Sequence, residues 1–390
     1  MRRTSALLFL IISFWYSIPL LFLFITKNIF LPNATLVLFS FLIGYLISLL
    51  ASGKLIVTYS RPIYYSQKLV KLISYLTLGL QVYCIFKLFY SDFNILQHRN
   101  LVWEDPYYLF NSSILFTLYL IFLIPTVIIL SIYILSKEYR SFDDLRVLKL
   151  LYLIIFIDSV IMLGRFQLMF LLFLLFLQYR KFSGGYFKLI IFTFLFLIIS
   201  QFVIFFRQFF ADSSLDSNIS FITYDYIEKS AIAYQYYGYL MFENLTRGNN
   251  VFGNIFSFNT LNFPIYILNL VGSKFGVTVT NNWEKINLLL SNGIYLKDFD
   301  LQVNAFSTNF LPIYLDFGYL GVFLFGSITG FILSANSKST LWKFEKYLMF
   351  FLVIFGIYQP LILYLYGFVL FLNLLFLLPG SKYIINKNTR

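Results

Sequence analysis

Runs of about 20 predominantly apolar residues recur along most of this chain, separated by short polar or basic stretches, and each is long enough to cross a bilayer as a helix. That pattern leaves few architectures open. The strands of a membrane barrel alternate apolar and polar residues, whereas LFLLFLQY and FTFLFLIIS are continuously apolar. A helix satisfies its own backbone hydrogen bonds without water, so helices are the remaining solution in a bilayer. Composition agrees: the sequence is 60% hydrophobic, 22% aromatic and only 12% charged, against roughly 25% charged in an ordinary soluble domain.

The formal net charge of +12 would point to nucleic acid in a soluble protein. Here the cations sit in brief loops between apolar runs and orient helices instead, so no nucleic-acid partner is expected. Cys84, the single cysteine, lies inside an apolar run and reads as a small packed side chain. Arg2 and Arg3 precede an apolar run with no small-residue cleavage site, which reads as a first membrane helix rather than a cleaved leader.

The sequence predicts an all-α polytopic membrane protein of about ten helices. The spans fall near residues 5–25, 34–51, 70–90, 112–135, 147–163, 166–178, 188–206, 309–333, 347–358 and 361–378. Residues 1–206 carry the first seven, 207–308 form one large outer loop, and 309–390 carry the last three with a tail. The fifth and sixth spans, and again the ninth and tenth, are short neighbours, the first pair separated at Gly164 and Arg165. Treating each pair as a hairpin puts the short basic loops on one side, including Lys54, Arg61 and Lys68, then Lys137, Arg140 and Arg146, then Arg180 and Lys181, then Lys338, Lys343 and Lys346. By the positive-inside rule that side is the cytoplasm, and both termini lie there. Within the large loop, residues 224–245 read as an aromatic amphipathic helix able to lie on the outer leaflet.

Outer-side arginines suit a diphosphate, because the guanidinium is a planar fork with a permanent charge. Arg165 and Arg207 stand at membrane level among apolar neighbours, where a cation is costly without an anion nearby. Arg99 and Arg247 are further candidates in more polar surroundings. His98, on the 91–111 loop, is the side chain best suited to take a proton from a hydroxyl, with Asp225 and Glu228 as alternative bases. Glu104, Asp105 and Glu243 are further alternative bases in outer segments, and for all five acids the plainer reading is a solvated charge. Asp158 and Asp316 fall inside predicted spans and should face the bundle interior with partners. The seven-residue spacing from Asp158 to Arg165 suggests an ion pair or relay along one helix face. No nucleotide loop, zinc-helix motif or Cys/His metal spacing occurs, so neither a cofactor nor a metal is expected, and an enzyme here would use an already activated substrate.

The segment NAFSTNFLPIYLDFGYLGVFLFGSITGFIL, residues 304–333, resembles the signature region of Wzy-type O-antigen and capsule repeat-unit polymerases. The resemblance rests on Asn304, Ser307 and Thr308 leading into a helix with Asp316, Phe317, Gly318, Gly321 and Gly330. The Gly164-Arg165 step and the large outer loop are similar as well. The resemblance implies a metal-independent glycosyltransferase of the bacterial inner membrane, similar in fold to other lipid-dependent membrane glycosyltransferases. Its implied partners are an undecaprenyl-diphosphate-linked oligosaccharide donor and acceptor, membrane lipids and a chain-length regulator protein. It also implies a diphosphate role for the outer arginines and a supporting role for Asp158, Asn304, Thr308, Asp316 and Gly318. An O-antigen ligase shares the same donor chemistry, and a lipid-linked oligosaccharide flippase is the alternative outside enzymes. The glycines have a simpler reading, close packing of helices.

Overall fold

Five helical stretches in the computed structural model are long and apolar enough to cross a membrane: Ser5–Lys27, Pro32–Ser52, Lys68–Tyr90, Ile114–Ser136 and Phe310–Ser334. The structure describes residues 2–52, 55–59, 67–90, 98, 101, 105, 107–137, 140–162, 165–179, 233–247, 276, 294–296, 301–303, 308–335, 339–356 and 381–385. The expected spans at 188–206 and 361–378 lie outside the described residues. The chain divides into two units, one of residues 1–61 with 232–390 and one of residues 62–231.

In the first unit, α1 (Arg2–Lys27) and α2 (Pro32–Ser52) are joined by a short turn, with Asn28 in a left-handed conformation. Asparagine tolerates that region better than most residues. The most extensive helix contact pairs α2 with α10 (Phe310–Ser334), and glycines explain its closeness. A Cβ added at Gly326 would overlap the carbonyl oxygen of Phe41, one at Gly330 that of Tyr45, and one at Gly44 that of Phe323. Where lipid tails compete equally for apolar side chains, such backbone-to-backbone approach is what binds two helices. Ser52 and Ser334 bond to each other at one end of the pair. Contacts 41 to 326, 45 to 330 and 52 to 334 advance together, so α2 and the part of α10 after Gly318 run parallel.

The aromatic core of this unit is built from Tyr16, Phe41, Tyr45, Phe242 and Phe310, all fully buried. Tyr16 Oη donates to the Val353 carbonyl (2.5 Å) and Trp15 Nε1 to the Ile354 carbonyl (3.0 Å), attaching α1 to α11 (Thr340–Phe355). The sequence reading began this helix at residue 347. It starts earlier because Ser339 caps it, its Oγ accepting from the Leu341 amide, and because Trp342 and Phe344 bury an apolar face through the basic stretch. Helix α9 (Ala233–Arg247) packs on α1 and α2, with Tyr239, Met241 and Phe242 fully buried, so its apolar face meets protein rather than an outer leaflet. Short antiparallel ribbons add to the helices. Strand β1 (Leu55–Tyr59) pairs with β4 (Ser381–Ile385), and β2 (Ile294–Leu296) with β3 (Leu301–Val303).

The second unit holds α3 (Gln67–Tyr90), the short α4 (Tyr107–Phe110), and a long stretch made of α5 (Ser113–Thr117), a π-helical segment (Leu118–Leu123) and α6 (Ile124–Ser136). Pro125 accounts for the π segment: it has no amide to donate, its ring crowds the preceding turn, and a widened turn relieves both. Helix α7 (Phe142–Ile161) opens with a reciprocal capping box between Ser141 and Asp144, and Lys137 Nζ lies 2.8 Å from Asp144 Oδ1. Helix α8 (Arg165–Tyr179) then folds back along α7, with Tyr152 Oη bonded to Gln178 Oε1 at 2.9 Å. The chain therefore reverses between Ile161 and Arg165, as the hairpin reading expects.

Candidate functional site

The signature helix α10 is not continuous. Gly318 has φ +61° and ψ −156°, inside what would otherwise be an unbroken helix. That region is essentially reserved for glycine, and a Cβ there would meet no atom within 4 Å, so the residue serves the backbone and not helix packing. Of the three signature glycines read as packing residues, Gly330 does pack on α2, while Gly318 breaks the helix. Two residues before the break, Asp316 is 1% exposed. Tyr314 and Tyr319 flank the break with ring centroids 4.9 Å apart, and Phe242 of α9 meets Tyr314 edge-on at 5.2 Å.

The start of this helix is anchored by polar groups. The Asn309 amide donates to the Gly356 carbonyl (2.7 Å), and Asn309 Nδ2 donates to the Leu352 carbonyl (3.1 Å), so α10 begins where α11 ends. The first contact satisfies a carbonyl that the C-terminus of α11 leaves open, and the second adds a donor to the Leu352 carbonyl, which also accepts from the Gly356 amide. Thr308 is also fully buried beside it. Glu243 is no solvated charge: it is 1% exposed, and its Oε2 accepts from the Ala34 amide (2.9 Å) in the first turn of α2, where free amides and the helix dipole favour an anion. Asn33 Nδ2 bonds to Thr246 Oγ1 alongside it at 3.1 Å.

The second unit contains a buried polar chain. Gln81 Nε2 donates both to the Ile154 carbonyl (2.9 Å) and to Tyr119 Oη (2.9 Å), and Tyr119 Oη donates to Asp158 Oδ1 (2.6 Å). Gln81, Tyr119 and Asp158 are all 0% exposed. Tyr119 comes from the π-helical segment, which places its ring between α3 and α7. Gln167, in the first turn of α8, is the neighbouring polar group on the carboxylate. Asp158 thus has a tyrosine as its described partner. The same-face spacing to Arg165 fails because α7 stops at Ile161 and Arg165 begins a new helix.

His98 lies against the C-terminal end of α7 and is 1% exposed. Its Nε2 is 2.7 Å from the Ile161 carbonyl and its Nδ1 is 3.0 Å from Tyr108 Oη. A carbonyl can only accept, so Nε2 carries the proton and Nδ1 accepts from the tyrosine. Burial disfavours the charged ring and lowers its pKa, with the Ile161 carbonyl opposing the shift. In this state both nitrogens are engaged, and the ring fastens its loop to the end of α7. Lys87 Nζ performs a similar service nearby, donating to the Tyr108 carbonyl and, at 2.7 Å, to Asn111 Oδ1.

The remaining sequence candidates divide plainly. Arg99, Arg207, Asp225, Glu228 and Asn304 lie outside the described residues, and Arg165 and Arg247 are described only as backbone at a helix start and a helix end. Among the described residues, no group of three or more His, Cys, Asp or Glu could hold a metal ion. Sequence reading missed Gln81, Tyr119, Gln167 and Asn309. The signal for the two glutamines was present, since each interrupts an apolar run, and Asn309 directly precedes one in the manner of a helix start. Nothing in the sequence marked Tyr119 among its many neighbouring aromatics. No family model, curated protein or solved structure matches the chain.

Proposed function

We propose that this protein is a glycosyltransferase that polymerises undecaprenyl-diphosphate-linked oligosaccharide repeat units at the outer face of a bacterial inner membrane. The observation that carries this reading is the break in α10 at Gly318, inside the Asp-Phe-Gly step of the segment that resembles Wzy-type polymerases. Non-helical backbone at membrane depth is tolerated only where it is buried in protein or lines a wet cavity. A break beside a buried carboxylate and two half-exposed tyrosines is therefore a place for polar substrate. The tyrosine rings offer flat faces on which a sugar can stack.

Topology supports the same reading. Paired strands must share one side of a membrane, so the β1–β4 ribbon favours a common side for the loop after α2 and the C-terminal tail. The parallel course of α2 and the part of α10 after Gly318 agrees with both entering from the outer face, as the distribution of Lys and Arg expects.

In the proposed reaction, the terminal hydroxyl oxygen of the acceptor attacks the anomeric carbon of the donor glycan. The bond from that carbon to the diphosphate oxygen breaks, and the lipid diphosphate leaves with the electron pair. Arg165 and Arg207, with Arg99 and Arg247, stabilise the charge that develops on the leaving group, a contribution of several kcal/mol for preorganised donors. With both His98 nitrogens engaged, Asp225 and Glu228 are the proposed bases that take the hydroxyl proton, and His98 holds the outer loop in place.

The test is a polysaccharide gel from a strain lacking this gene, with and without the wild-type or Arg165→Ala copy. Lipid A core carrying a single repeat unit, not rescued by membrane-inserted Arg165→Ala, supports polymerisation with Arg165 in the site. Bare core with polymer still accumulating on undecaprenyl diphosphate would instead make the protein a ligase.

A further inference from the structure

Strands β1 and β4 form a two-stranded ribbon whose register fixes which residues share a face. Directly opposed residues lie on the same side of a pleated pair, and successive residues along a strand alternate between sides. One face therefore carries Leu55 opposite Ile385, Val57 opposite Tyr383 and Tyr59 opposite Ser381. The other carries Ile56 opposite Ile384 and Thr58 opposite Lys382. No described helix lies against either strand as extensively as the strands lie against each other. A ribbon of two strands is marginal in water and needs a further layer over its apolar face.

Position and charge together decide what that layer is. Only Gly53 and Lys54 separate β1 from Ser52, the last residue of the spanning helix α2, and such a link reaches about 10 Å even when fully extended. The ribbon is thus held at the membrane surface by its own chain. Residues 53–61 and 379–388, which the ribbon joins, contain Lys54, Arg61, Lys382 and Lys387 and neither Asp nor Glu. Cations beside an apolar face that includes Tyr59 and Tyr383 match a leaflet of anionic lipids. Its phosphates meet the cations, its boundary suits tyrosine, and its acyl chains cover the aliphatic residues. Each cation held near such a surface multiplies the preference for it about fivefold.

We propose that the β1–β4 ribbon is a lipid-recognition surface, lying on the anionic leaflet with the face of Leu55, Val57, Tyr59, Tyr383 and Ile385 toward the acyl chains. This role is independent of the transferase chemistry. The test uses the full-length protein with Cys84→Ser, which removes its single cysteine, in vesicles of phosphatidylcholine with and without phosphatidylglycerol. A fluorophore attached through Val57→Cys, Thr58→Cys or Tyr383→Cys is quenched either by a nitroxide on the lipid chain close to the headgroup or by acrylamide in the water. With phosphatidylglycerol present, the lipid nitroxide should quench the labels at 57 and 383 several-fold more than the label at 58, and acrylamide should reverse that order. Lys382→Gln combined with Lys387→Gln should raise the phosphatidylglycerol content needed for half of this contrast several-fold, and added salt should do the same. Equal quenching at 57 and 58 overturns the proposal, as does a contrast that is unchanged when phosphatidylglycerol is left out. Labels at 57 and 383 shielded from both quenchers would mean that protein covers this face, whether a second copy or another segment of this chain, and would overturn it as well.

Discussion

Replacing Gly318 by alanine isolates the cost of the break in α10. A Cβ at this position meets nothing within 4 Å, so no steric overlap contributes and the whole penalty is backbone conformation. Holding a non-glycine residue at φ +61°, ψ −156° costs about 1 to 3 kcal/mol. Gly79, inside α3, supplies the control: a Cβ there also meets nothing within 4 Å, but the backbone is helical. There alanine gains about 0.8 to 1 kcal/mol of helix propensity. The two Gly→Ala variants should thus differ by about 2 to 4 kcal/mol, with opposite signs relative to wild type. Thermal unfolding in one detergent measures both, and Gly318→Ala should fall below wild type while Gly79→Ala lies at or above it. Should Gly318→Ala prove as stable as Gly79→Ala, α10 is a continuous helix in the protein and the argument for a polar site at the break fails.

Gly326→Ala tests the α2–α10 contact. Its Cβ would land on the Phe41 carbonyl, a backbone atom that cannot swing aside, so overpacking should cost about 1 to 3 kcal/mol, seen as a lower Tm; an unchanged Tm would mean the helices are not this close. His98 gives a pH dependence with a defined sign. Its folded pKa lies below the ordinary histidine value because burial disfavours the charged ring. The unfolded chain therefore binds the proton more readily, and the stabilising contribution is present above about pH 6.5 and lost as pH falls through the lower folded value. The wild-type Tm should drop on acidification across that window, and His98→Gln should flatten the drop. Equal slopes for the two proteins would remove His98 as its cause.

The sequence by itself determined the solvent of this chain and the existence of its long helices. Partition of an apolar run into a bilayer depends on the run's own length and composition, both of which are local. Hence the expected spans at 34–51, 70–90, 112–135 and 309–333 fall within a few residues of the observed helical stretches. The reversal at Gly164 and Arg165 was legible for a similar reason, since charge placement constrains the parity of crossings. What the sequence did not determine are the meetings of faces. Asp158 was assigned a partner along its own helix, whereas its described partner is Tyr119, far away in sequence and delivered by a π-helical turn. Glu243 read as a solvated charge and His98 as a loop base, and both are buried, because neighbouring elements supply an amide, a carbonyl and a hydroxyl at the right places. Gly318 and Gly330 are the same residue type in the same helix, yet one breaks it and the other admits a neighbouring backbone. Only the tertiary structure could decide between those uses, since each depends on which atoms lie across the contact and not on the residues beside it in the chain.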